Sequence, residues 1–113
     1  MNKEQRTKLI NIISKDCMTC EKYFDKSGNT CAIGAMVSAV VQPDSPIIQL
    51  LKEKNNASVS FLWTVTDLLH KHFGLTSSKL QHIQFLNDDS FNDTPQLRRE
   101  AIIKYLNEIT LVD

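Results

Sequence analysis

Thirteen consecutive residues, Asn29-Thr-Cys-Ala-Ile-Gly-Ala-Met-Val-Ser-Ala-Val-Val41, contain no charged side chain. Small residues are interleaved there with larger apolar ones. The stretch reads as a short helix buried on most of its surface, so the rest of the chain must supply elements that wrap it. Gly34 sharpens the constraint. A glycine inside a helix costs about 1 kcal/mol relative to alanine, so its presence points to a neighbour packed very close. Asn29 or Thr30 is the expected N-cap, which places Cys31 in the first turn. Gln42-Pro43 ends the helix, because the residue before proline avoids the α region.

The flanking sequence supplies amphipathic helices. Leu9, Ile10, Ile13 and Cys17 follow helical spacing from about Lys3 to Asp16. The segment Cys17–Phe24 can add a turn of helix, and Asp25-Lys-Ser-Gly-Asn29 reads as a turn. Ser45-Pro46 is an N-cap followed by proline at the first helical position, with Ile47, Ile48, Leu50 and Leu51 on the apolar face. Ser58 or Ser60 opens a longer helix carrying Phe61, Leu62, Val65, Leu68, Leu69, His72 and Phe73, and Gly74 sits where a C-terminal cap is expected. The β-branched residues between Ser58 and Thr66 also fit a strand. Ser78 to Gln81 has a capping-box pattern, with Leu80, Ile83 and Leu86 facing inward and a polar loop from Asn87 to Asp93. Thr94-Pro95 starts a last helix with the seam Leu97, Ala101, Ile102, Tyr105, Leu106 and Ile109. The expected fold is a compact all-α single domain, residues 1–113, with about five or six short helices around a buried central helix at residues 31–41.

Charge and composition narrow the function classes. The 113 residues carry 13 basic and 13 acidic side chains, a formal net charge of zero, which argues against holding nucleic acid or anionic lipid by bulk charge. No apolar run approaches the roughly 18 residues of a membrane span. The polar Met1–Arg6 segment carries no signal-peptide core, so the expected location is the cytoplasm. The expected state of the three cysteines is then reduced thiols rather than a disulfide framework.

Three groups of residues bear on chemistry. Cys31, at a helix N-terminus, faces the positive end of the dipole and free N–H groups, which favour a thiolate. A nucleophile needs a partner base, and His70, His72 and His82 are the available imidazoles. Asn87, Asp88 or Asp89 would orient one. The alternative is that Cys31 is a small buried apolar residue. Cys17 and Cys20 form a C-x-x-C pair, half of a zinc site or a redox dithiol, but no second paired motif and no βαβ context accompany them. His72 falls on the apolar stripe, His70 on a solvated face, and His82 next to a core position. The Asn87–Asp93 run lacks the alternation, glycine and terminal glutamate of a calcium loop. Its plainer role is in caps and turns. Trp63 falls off the main stripe, and Arg98-Arg99 forms a basic pair, so these three mark an expected binding surface.

Taken together, Cys31-Ala-Ile-Gly-Ala-Met36 and Ile83-Gln-Phe-Leu-Asn-Asp88 resemble a group of small bacterial and phage proteins without assigned function. Those carry a Cys-Ala-(Leu/Ile)-Gly-Ala helix, a helical middle, a (Leu/Trp)-Asn-Asp segment and a final amphipathic helix, over about residues 5 to 110 here. The resemblance implies a small all-α protein encoded near phages or mobile elements and gives no activity. Asn87 and Asp88 then either cap or bridge to the head of the Cys31 helix, or complete a thiol-centred site.

The function expected from these readings is non-enzymatic protein–protein binding, without cofactor or metal. A phage or mobile-element accessory or inhibitor protein of the anti-defence kind would act in this way. The alternatives are a thiol-dependent hydrolase or transferase using Cys31 with a histidine, and a zinc-stabilised domain using Cys17 and Cys20.

Overall fold

The computed structural model describes residues 1–15, 23–24, 29–53 and 63–111. Among them lie six helices and no strand: α1 Lys3–Lys15, α2 Ala32–Val40, α3 Pro46–Glu53, α4 Trp63–Phe73, α5 Ser77–Asp88 and α6 Pro95–Glu108. The uncharged helix α2 is the hub. It packs against α1, α3, α4 and α5, and α6 closes over α1 and α5. The all-α reading with a central helix therefore holds, and six helices is the upper of the two expected numbers.

Burial of the hub is not uniform along its length. Ala32 through Val37 are buried, whereas Ser38 and Ala39 are exposed and Val40 is half-buried. Ala32, Ile33, Met36 and Val37 share one cluster with the core side chains Leu9 and Ile13 of α1, Leu51 of α3, Leu69 and Phe73 of α4, and Leu80 and Ile83 of α5. The last turn is small and uncharged without being covered. Its lack of charge is thus only partly explained by burial.

The helix ends follow local chemistry in most places. Thr94 accepts from Leu97 N–H at 3.2 Å with Pro95 at the first position of α6, and Ser45 Oγ accepts from Ile47 N–H at 3.3 Å. Gly74 has φ +68° and its N–H donates to His70 O at 2.9 Å, ending α4 in the left-handed conformation that glycine adopts without penalty. A Cβ there would also approach Met1 N to 2.9 Å.

Four expectations about boundaries and faces are corrected. The N-cap of α2 is Cys31 itself, not Asn29 or Thr30, because Thr30 is drawn into an antiparallel bridge with Phe24. The cap of α5 is Thr76, whose hydroxyl accepts from Lys79 N–H at 3.3 Å, two residues before the capping-box pattern. The same helix runs through Asp88, so Asn87 and Asp88 are helical rather than part of a loop. On α6 the expected seam holds at Ile102, Leu106 and Ile109, with Ala101 and Tyr105 half-buried, but at its start Arg98 is buried and Leu97 is exposed. At Trp63–Thr66 the helical reading holds over the strand alternative. Residues 58–62, together with the expected turn at residues 25–28 and the added helical turn at 17–22, lie outside the described residues.

Candidate functional site

The first turn of α2 meets the last turns of α5. On α5 the buried residues are Leu80, Ile83, Gln84 and Asn87, spaced i, i+3, i+4 and i+7. That is one helical stripe, apolar in its first half and polar in its second. The polar half faces the unsatisfied N–H groups that every helix N-terminus presents. Asn87 Oδ1 accepts from Ala32 N–H at 3.1 Å across 55 residues of sequence. Gly34 N–H donates to Cys31 Sγ at 3.4 Å, and the Cys31 thiol donates to Gln84 Oε1 at 3.8 Å. Gln84 Nε2 and Asn87 Nδ2 then donate to the two oxygens of Asp88, at 2.7 and 3.0 Å. A continuous hydrogen-bonded path thus runs from Ala32 N–H through Asn87, Asp88 and Gln84 to the thiol.

The other side of the same turn is closed by backbone. Tyr23 O accepts from Cys31 N–H at 3.3 Å. A Cβ on Gly34 would lie 2.3 Å from that oxygen. The close neighbour demanded by Gly34 is therefore a carbonyl of the preceding segment rather than another helix.

Two effects compete for the thiol's proton. The backbone N–H groups of Gly34 and Ile33 favour the thiolate, as expected at a helix N-terminus. Burial opposes them and wins: Cys31 is 0% exposed, and its thiol is pushed up to about 12 by desolvation, with the Asp88 charge adding in the same direction. At pH 7 the thiol therefore keeps its proton. Tyr23 is raised likewise to about 12, first by burial and then by the neighbouring Cys31 and Asp88 charges. In this arrangement the cluster holds a neutral thiol as a hydrogen-bond donor.

The residues proposed as catalytic fall into two sets. Cys31, Asn87 and Asp88 are brought together. The histidines have other partners: His70 Nδ1 lies 3.2 Å from Leu75 O, an acceptor that requires the proton on that nitrogen. The exposed His82 ring stacks on Tyr105 at 4.2 Å between centroids, and His72 is half-buried beside Phe73. Asp89 accepts from Phe91 N–H at 3.1 Å in the α5–α6 turn. Gln84 and Tyr23 belong to the cluster and were not singled out by sequence. Gln84 was findable, since Gln84, Asn87 and Asp88 share one helical face. Cys17 and Cys20 lie outside the described residues, and among the described residues no three of His, Cys, Asp and Glu gather as a metal site.

The expected binding-surface residues also separate. Trp63 is 76% exposed at the start of α4. Arg98 is buried, its Nη2 donating to Asp93 O at 3.5 Å, and Arg99 is half-buried. Large apolar side chains not anticipated from the pattern stand exposed on α5, the α5–α6 turn and α6: Phe85 at 63%, Phe91 at 86% and Leu97 at 40%. Phe85 adjoins His82, with ring centroids 6.4 Å apart, and His82 leads to Tyr105. In the third turn of α5 the usual polarity is inverted, with Gln84 inside and Phe85 outside.

No protein-family model, curated protein or solved structure matches this chain. No helix among the described residues is long and apolar enough to cross a membrane.

Proposed function

We propose that this chain is a non-enzymatic binding protein that covers a surface of another protein through its α5–α6 face. The observation that carries the reading is the exposure of Phe85, beside the His82–Tyr105 stack, and of Phe91 in the α5–α6 turn. Aromatic side chains supply large contact area at small entropic cost and recur as anchors of protein interfaces. A patch of about 800 Å² per partner suffices for a specific complex, and a chain of this size can present one. The zero net charge and the sealed Cys31 thiol support binding over nucleic-acid contact or thiol catalysis. The resemblance to small phage and mobile-element proteins makes an accessory or inhibitor role, acting inside a bacterial cell, the specific form of this proposal.

The test uses immobilised full-length chain and lysates of candidate bacterial hosts. A protein retained by the wild type and lost with Phe85→Ser/Phe91→Ser supports the reading. Retention that is indifferent to both substitutions, or no retained protein, overturns it. Iodoacetamide labelling at pH 7.5 of a Cys17→Ser/Cys20→Ser chain separates the enzymatic alternative. Binding without thiol catalysis predicts an unlabelled Cys31 until denaturant is added.

A further inference from the structure

The exposed side of α1 and the uncovered last turns of α2 form a second feature, independent of the α5–α6 face. Lys8, Asn11, Ile12 and Lys15 recur on α1 at i, i+3, i+4 and i+7, the spacing of one helical stripe. Beside them Ala35, Ser38 and Ala39 recur on α2 at i, i+3 and i+4. The two stripes wall an open groove of about 330 Å³.

We propose that this groove docks one amphipathic helix of a partner protein, carrying carboxylates along a narrow apolar ridge. The floor sets the shape of the occupant. Alanine and serine side chains allow a helix axis to approach at the short end of the roughly 8–10 Å range of helix pairs, and Ile12 offers the ridge an apolar contact. The rim sets its charge. Among the described residues lining the groove there are two lysines and no carboxylate. Lys8 and Lys15 are seven residues apart, about 10.5 Å along the axis, so carboxylates at i and i+7 of a parallel or antiparallel helix reach both. Lys8 is partly ordered in advance, its Nζ lying 5.8 Å from the centre of the Phe73 ring.

A second depression, about 460 Å³, joins the groove at Lys8 and Asn11 and continues past Thr7 to Lys3, with Glu4 its one carboxylate. The track therefore follows all 13 residues of α1, about 20 Å, which suits an occupant of similar length. This is the helix-in-groove mode of recognition. A phosphate backbone would meet the lysines but leave the half-buried Ile12 and the exposed Ala39 without apolar cover, so the floor favours a protein helix over nucleic acid.

The experiment is an amide-shift titration of the full ¹⁵N-labelled chain. The probes are a helix-stabilised peptide with Glu at i and i+7 flanking a Leu/Ala ridge, the same peptide with Lys for Glu, a scrambled peptide of identical composition, and a short DNA duplex. The Glu peptide is expected to shift the amides of Lys8, Asn11, Lys15, Ser38 and Ala39. Lys8→Glu/Lys15→Glu, which changes only exposed side chains, is expected to weaken it about tenfold and to reverse the preference toward the Lys peptide. Phe85→Ser/Phe91→Ser is expected to leave these shifts unchanged, which keeps this test apart from that of the α5–α6 face. No groove shifts at millimolar Glu peptide, equal shifts with the scrambled peptide or the duplex, or unchanged affinity in the charge-reversed chain would each overturn the proposal.

Discussion

Replacing Gly34 with alanine tests the central packing relation of this molecule. In an open helix the change stabilises by about 1 kcal/mol, because alanine loses less backbone entropy than glycine. Here the new Cβ would sit 2.3 Å from Tyr23 O, 3.2 Å from Tyr23 C and 3.3 Å from the Thr30 Cβ. The nearest atoms belong to backbone, so no rotamer change relieves the overlap. The strand-like segment carrying Tyr23 must retreat by about 1 Å, which strains packing by about 1–3 kcal/mol. The same retreat stretches the Cys31 N–H to Tyr23 O bond, already 3.3 Å, whose loss costs a further 0.5–1.5 kcal/mol or about that. Subtracting the propensity gain leaves a net destabilisation of about 0.5–3.5 kcal/mol. For a domain of this size each kcal/mol lowers Tm by roughly 4 °C, so a fall of about 2–14 °C is expected in a thermal melt followed by circular dichroism. Urea unfolding should show the same loss in the midpoint with an unchanged slope. A Gly34→Ala chain as stable as the wild type, or more so, refutes the claim that Gly34 is retained for close approach.

Two further outcomes follow from the cluster at the head of α2. Asn87→Ala removes the acceptor of the buried Ala32 N–H and a donor to Asp88, so urea unfolding should show a loss of about 1–3 kcal/mol, while Asn92→Ala, at a half-buried loop position, should cost less. Raising the pH should also destabilise the chain through Cys31. Burial pushes its folded value up to about 12, above the ordinary value of 9.0 for a thiol in water, so the unfolded chain releases the proton first. Stability is then complete below pH 9 and declines toward pH 12 at up to about 1.4 kcal/mol per pH unit. Cys31→Ser keeps a capping oxygen and lacks this titration, so its pH slope between 9 and 11 should be shallower, and equal slopes would count against a sealed thiol. Tyr23 titrates in the same direction in both chains; its rise from burial and from Asp88 is common to them, whereas the part caused by the Cys31 charge is lost with the thiol and belongs to the difference in slope.

Much of the architecture was legible because it depends on near-neighbour chemistry. Thr94-Pro95, Ser45-Pro46 and Gly74 act on backbone within one turn, so residue identity suffices to locate those ends. The uncharged stretch pointed to a core element, which it is from Thr30 through Val37 but not at its end, and Gly34 announced a contact even though its partner was not identifiable. The candidate site was legible in part. Cys31 and the Asn87-Asp88 pair stand out in the sequence as polar or reactive residues beside apolar stripes, but nothing local marks Gln84, and the histidines lie with other partners.

What the residues determined alone was the class of fold and the identity of its hub, because helical periodicity, capping and absence of charge are local properties. What only the tertiary structure decided was the use made of the polar groups. Asn87 extends α5 rather than breaking it because its side-chain oxygen is taken by Ala32 N–H, 55 residues away. Cys31 caps α2 because Thr30 is held by Phe24. Its thiol keeps its proton because the packed chain removes water from a group that the helix N-terminus alone would have ionised more readily. Each of these outcomes is a competition between a local preference and a distant partner, and the partner's position is fixed only when the helices close on one another.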